Sequence, residues 1–104
     1  MQVWNIEVLA TRQISEAIAT ELLPLFSTEL SKSAESFQTA SVSEDLLEAA
    51  RICHQMRGSA ALYGFKLLAQ ELLAAEKAIK TGQLLPSQMA GNLIAVATEI
   101  RKLV

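Results

Sequence analysis

Apolar residues recur every three or four positions along most of the chain, and the places where that rhythm breaks divide it into helices. Trp4 to roughly Arg12 is expected to form a short first helix carrying Trp4 and Val8, with Ile6 or Leu9, on adjoining turns. From about Ser15 to Ala40 the set Ile18, Leu22, Leu25, Phe26, Leu30, Ala34 and Phe37 keeps helical spacing. Pro24 lacks an amide hydrogen and crowds the preceding turn, so it is expected to kink or split that helix. Small polar residues then interrupt the pattern from Thr39 to Ser43. Ser41 followed by Glu44 fits a capping box, and Glu44 and Asp45 favour a helix N-terminus, so a third helix is expected to begin there. Its inward stripe reads Leu46, Ala49, Cys53, Met56, Ala60 and Tyr63, and Gly64 is placed to end it in a left-handed cap. Phe65 to Thr81 repeats the period through Leu68, Leu72, Ala75 and Ile79, and Gly82 is a second stop. Pro86 suits the first turn of a last helix bearing Met89, Leu93, Val96, Ile100 and Leu103.

Good helix formers dominate, and no sustained alternation of β-branched or aromatic residues suggests a strand. The expected fold is therefore all-α: an up-down antiparallel four-helix bundle with a short additional N-terminal helix. Residues 1–104 are long enough for one such domain and, at 51% apolar, supply a single core.

Charge narrows the function. Nine basic and eleven acidic side chains leave a net charge of -2 with no basic run, which argues against nucleic acid as a partner. No apolar run approaches the roughly 20 residues that cross a bilayer. With a single cysteine, no internal disulfide and no apparent signal peptide, the expected compartment is the cytoplasm.

Candidate chemistry concentrates in His54-Gln55-Met56-Arg57-Gly58-Ser59-Ala60-Ala61-Leu62-Tyr63-Gly64, which contains the chain's one histidine. On a helix, His54, Arg57, Gly58 and Ala61 share a stripe beside the inward one. If the third and fourth helices form a hairpin turning near Gly64 and Phe65, the residue opposite His54 is Glu76, each arm being 11 residues. Eleven residues is close to three turns, so both side chains return to the face of the turn. A carboxylate accepting from Nδ1–H of His54 would fix the Nε2 lone pair outward and make the ring a better nucleophile. Cys53 points about 100° away from His54 and is expected to be a small core residue.

The pattern His-x-hydrophobic-basic-Gly-Ser, with a further Gly ten residues after the His, resembles the histidine-containing phosphotransfer (HPt) family of bacterial two-component signalling. The run Gly58 to Phe65 looks most like the first domain of chemotaxis kinases. The resemblance implies that His54 is the phosphoacceptor, that Arg57 fills a basic position usually held by Lys, and that Gly58 gives a partner access. It places Glu76 where members carry Gln or Glu, and gives Lys80 a weaker claim as a second basic residue. It implies a phosphocarrier with no kinase activity of its own. The partners would be a response-regulator receiver domain or a histidine kinase, the receiver bringing the reacting aspartate and its Mg²⁺; the chain would need no cofactor.

A monomeric bundle is the expectation. Ile14, Ile18 and Leu22 could serve either the core or, as in such relatives, an apolar docking surface. The competing reading is a degenerate HPt-like bundle that docks receivers or dimerises without carrying phosphate. A metal or haem bundle is disfavoured, since one histidine and no paired Glu-x-x-His motif cannot supply the usual ligands.

Overall fold

The computed structural model describes residues 4–12 and 22–104, and every regular element among them is helical. In order these are α1 (Ile6–Leu9), α2 (Leu23–Val42), α3 (Leu46–Leu62), α4 (Lys66–Lys80), a 3₁₀ turn (Pro86–Gln88) and α5 (Ala90–Arg101). The four long helices form the expected bundle, with α3 packed most extensively on α4 and with α2 packed on both α3 and α5. Short α1 lies across α5 and touches α4, closing the remaining side. Residues 13–21, including Ile14 and Ile18, lie outside the described residues, so the expectation of a kinked helix from Ser15 can be followed only from Leu22 onward. There Pro24 stands in the first turn of α2, where its missing amide costs no intrahelical hydrogen bond.

Three long helices end in the same way. Phe65 N–H donates to the Ala60 carbonyl at 2.8 Å and Gly64 N–H to that of Ala61 at 3.2 Å, with Gly64 at φ 88°. Gln83 and Gly82 repeat the pair of bonds on Ala78 and Ile79, with Gly82 at φ 77°. This is the Schellman arrangement, in which a left-handed residue lets the backbone satisfy the last carbonyls. At the end of α2 the left-handed position is occupied by Glu44, at φ 55°, with Asp45 N–H donating to Ala40 at 2.9 Å.

That turn corrects the expected boundary. Ser41 and Val42 belong to α2, and the Ser41 hydroxyl donates back to the Gln38 carbonyl instead of capping α3. The N-cap is Asp45, whose Oδ1 accepts from the Glu48 amide at 3.1 Å. Glu44 precedes the cap as the left-handed hinge and lies outside the first turn of α3.

The core holds Phe26, Phe37, Phe65, Leu68, Leu72, Ile79, Met89, Leu93 and Ile100, all essentially fully buried. Phe26 stacks between Tyr63 and Phe65, with ring centroids 4.8 and 5.2 Å away, and so pins α2 to the turn joining α3 and α4. Arg12 adds a tether there, donating from Nε to the Tyr63 carbonyl at 2.8 Å. Several expected core positions lie at helix ends and face out. Leu46 opens α3 and is 40% exposed, while Leu103 follows the end of α5 and is 53% exposed. Leu22, Leu25 and Val8 are likewise exposed. The first helix begins only at Ile6, because the Asn5 side chain accepts from Val8 N–H and caps it; Trp4 packs against the core from outside the helix. Pro86 starts a separate 3₁₀ turn, with Met89 between it and α5.

Candidate functional site

Stripe residues of α3 and the last two turns of α4 build one surface. Ala49, Cys53, Met56 and Ala60 commit the inner side of α3 to the core, which turns His54, Arg57 and Gly58 outward. Leu68, Leu72, Ala75 and Ile79 do the same for α4. Glu76 sits at the seam between these helices, and Lys80 follows it by one turn.

The hairpin brings His54 and Glu76 together, with Nδ1 of the ring 3.3 Å from Oε1 of the carboxylate. Lys80 Nζ donates to the other oxygen, Oε2, at 2.9 Å. Arg57 Nη2 lies 3.1 Å from the same Nδ1, and Arg57 Nε lies 3.9 Å from Glu76 Oε1. His54, Arg57, Glu76 and Lys80 therefore form one contiguous cluster. The imidazole is its outermost part, with 60% of the side chain exposed against 9% for Glu76.

Burial on its own would raise the Glu76 pKa. Hydrogen bonds from Lys80 and His54, and the charges of those two partners, outweigh it and hold the carboxyl below its ordinary value. Glu76 is thus an anion at neutral pH, fixed under the ring. The carboxylate has the opposite effect on Cys53. Desolvation, reinforced by Glu76, pushes that thiol up to about 12, so at neutral pH Cys53 is an inert, protonated core residue.

Gly58, four residues after His54 on the same face, is exposed, and a Cβ built on it would meet nothing within 4 Å. Tight packing against a neighbouring helix therefore does not account for this glycine. Beside the ring lies an open concavity of about 340 Å³ lined by Leu47, Ala50, Arg51, His54, Glu76 and Lys80. Leu47, two turns before His54, is 82% exposed and contributes apolar surface to this face. Leu47 has no place in the site as read from the sequence, although its spacing of seven residues from His54, two helical turns, carries the signal.

The arrangement provides a solvent-facing imidazole with an anion beside one ring nitrogen and two cations, Arg57 and Lys80, in the same cluster. Among the described residues, no group of three or more His, Cys, Asp or Glu side chains is arranged to hold a metal ion, and no helix is long and apolar enough to cross a membrane.

Comparison with known proteins gives one match. The family model described as the Hpt domain matches residues 21–103, which takes in the whole of α2 to α5 and every residue of the cluster. No curated protein and no solved structure matches the chain significantly.

Proposed function

Since the chain belongs to the Hpt domain family, whose members are phosphocarriers in relay signalling, we propose that His54 is its phosphoacceptor and exchanges the group with an aspartate of a receiver domain. The observation that carries this reading is the ring itself: it is the chain's only imidazole, largely exposed, with an ionised carboxylate 3.3 Å from its Nδ1.

The chemistry follows from that geometry. With a proton on Nδ1 donated to Glu76, the lone pair on Nε2 points to solvent and attacks the incoming phosphorus. The new Nε2–P bond forms as the donor's bond to phosphorus breaks, its electron pair leaving with the donor. The ring, now substituted on both nitrogens, becomes cationic, and the Glu76 carboxylate stabilises that charge as it develops. Onward transfer reverses the step. An aspartate oxygen takes the phosphoryl group, and the ring regains its lone pair on Nε2. Arg57 would neutralise charge on the phosphoryl oxygens once its guanidinium turns outward. The catalytic aspartate surroundings and Mg²⁺ belong to the partner, which works in the cytoplasm on a domain that supplies only the nucleophile and its setting. Gly58 and the Leu47 side of the concavity leave that partner room to approach.

The test is chemical. The purified protein is incubated with a small phosphoramidate donor and, separately, with a phosphorylated receiver, then analysed by mass spectrometry for an acid-labile phosphoryl adduct on His54. Its appearance is expected. Its absence with several competent donors would leave a domain that docks receivers without carrying phosphate.

A further inference from the structure

Two residues claim Nδ1 of His54. Glu76 Oε1, at 3.3 Å, belongs to an ionised carboxylate and can only accept; Arg57 Nη2, at 3.1 Å, can only donate. A neutral imidazole nitrogen bears either a proton or a lone pair, so the two contacts cannot both be hydrogen bonds in one molecule. With the proton on Nδ1, the ring donates to Glu76 and the nucleophilic lone pair on Nε2 faces solvent. With the proton on Nε2, Nδ1 accepts from Arg57 and the outward nitrogen has no lone pair to offer.

A second observation concerns the same guanidinium. Arg57 Nε is buried and has no hydrogen-bond partner, yet it faces Glu76 Oε1 at 3.9 Å. Nε–H and one Nη–H of arginine share an edge and point the same way. The edge that reaches Nδ1 through Nη2 therefore meets Glu76 through Nε, and a shift of about 1 Å would bring that pair to hydrogen-bond distance. Such a fork removes the orphaned donor and gives Oε1 a partner that is not the ring. The single ammonium of a lysine cannot span two acceptors in this planar way.

Building on the phosphoacceptor reading above, we propose that Arg57 is a tautomer lock, a positioning residue that holds resting His54 in the Nε2–H form until a phosphoryl group draws the guanidinium away. The phosphoryl oxygens offer Arg57 a stronger, two-pronged acceptor than one imidazole nitrogen. On release, Nε2 gives its proton to water and Nδ1 takes one from water. No net proton is gained or lost, and the ring now donates to Glu76 with its lone pair outward. The same side chain thus suppresses the free nucleophile and neutralises the phosphoryl group once engaged, so every donor must first overcome the lock, which a lysine could not form while keeping the positive charge.

Because His54 is the only histidine, its tautomer can be read directly from long-range ¹H–¹⁵N correlations in the intact chain at a pH where the ring is neutral. The wild type is expected to carry its proton on Nε2 and Arg57→Lys on Nδ1. Arg57→Lys should also take phosphate from a small phosphoramidate faster, by roughly tenfold if the lock holds about nine molecules in ten. The same tautomer in both proteins would overturn the proposal, and so would a tautomer change with no gain in rate. If neither protein is phosphorylated, the phosphoacceptor reading fails and the reactivity role of the lock fails with it. The tautomer comparison, which needs no phosphate, separates that result from a failure of the fork itself.

Discussion

Lys80 and Glu76 form a one-turn ion pair at the C-terminal end of α4, with Nζ on Oε2 at 2.9 Å, and this leaves Oε1 turned toward His54. The lysine thereby sets which carboxylate oxygen the imidazole meets. It is a support for the anion, and its own position near a helix C-terminus suits a cation. Glu76→Ala should slow phosphorylation of His54 without abolishing it, because the nucleophile remains. Lys80→Met should slow it less, because the carboxylate stays but loses its fixed orientation. Initial rates with a phosphoramidate donor check both; an unchanged rate for Glu76→Ala would remove its assigned role.

The same carboxylate links stability to pH. Its pKa in the folded protein lies below the ordinary value, so the unfolded chain binds a proton more readily than the native one. Its stabilising contribution is therefore complete above the ordinary glutamate range and is lost as pH falls through the folded value. Urea denaturation of the wild type and Glu76→Gln should show a gap of about 1 kcal/mol at neutral pH, modest because Lys80 is well exposed, that narrows on acidification. A gap that widens with acid would contradict the direction of the shift.

His54→Gln should abolish the phosphoryl adduct while leaving the melting temperature nearly unchanged. The ring is mostly in solvent, and Glu76 keeps Lys80 as a partner, so a change within about 0.5 kcal/mol is expected. Circular dichroism melting beside the mass-spectrometric assay separates loss of chemistry from loss of fold.

Gly58→Ala should divide the two properties in the opposite sense. A Cβ there meets open space inside a helix, so the domain should gain about 1 kcal/mol. Transfer from a phosphorylated receiver should fall, and fall more than transfer from a small donor, since the added methyl stands one turn from the imidazole. Equal effects on both donors would show that the glycine does not serve partner approach.

The left-handed cap of α2 offers a stability test remote from the site. Glu44→Gly should relieve the strain of a side chain at φ 55° and raise stability by about 0.5–1 kcal/mol, whereas Gly64→Ala, at φ 88°, should lower it by about 1–2 kcal/mol. Urea midpoints at constant m-value decide both.

That cap also marks where the sequence was hardest to read. Gly64 and Gly82 announce their turns because glycine is the usual residue at positive φ. Glu44 carries no such signal, and Ser41 three residues before it imitates a capping box, so the pattern assigns the cap to Ser41 and leaves Asp45 only the general preference of an acid for a helix N-terminus. Helical spacing located Phe26, Phe37, Leu72 and Ile79 in the core because it depends only on period. It failed at Leu46 and Leu103, where the helix starts or stops and the neighbouring wall is missing. The proximity of His54 and Glu76 was legible because two equal arms of a hairpin meet at the same height. The turn of Arg57 toward Nδ1 was not, since a long side chain's rotamer is chosen by local contacts that spacing does not encode.

His54, Arg57, Gly58, Lys80 and Leu47 all stand on the outer side of one hairpin, while the inner side of the same helices is given to Leu68, Met56 and their neighbours. The exposed cluster and the core are thereby written in different columns of the same two helices, and the outer column can change with the bundle left intact. Glu76 is the exception, the one buried acidic or basic residue among those described. A lineage diverging from this chain can drift along that exposed column, but at Glu76 a change of chemistry is also a change of fold stability, and the two must be solved together.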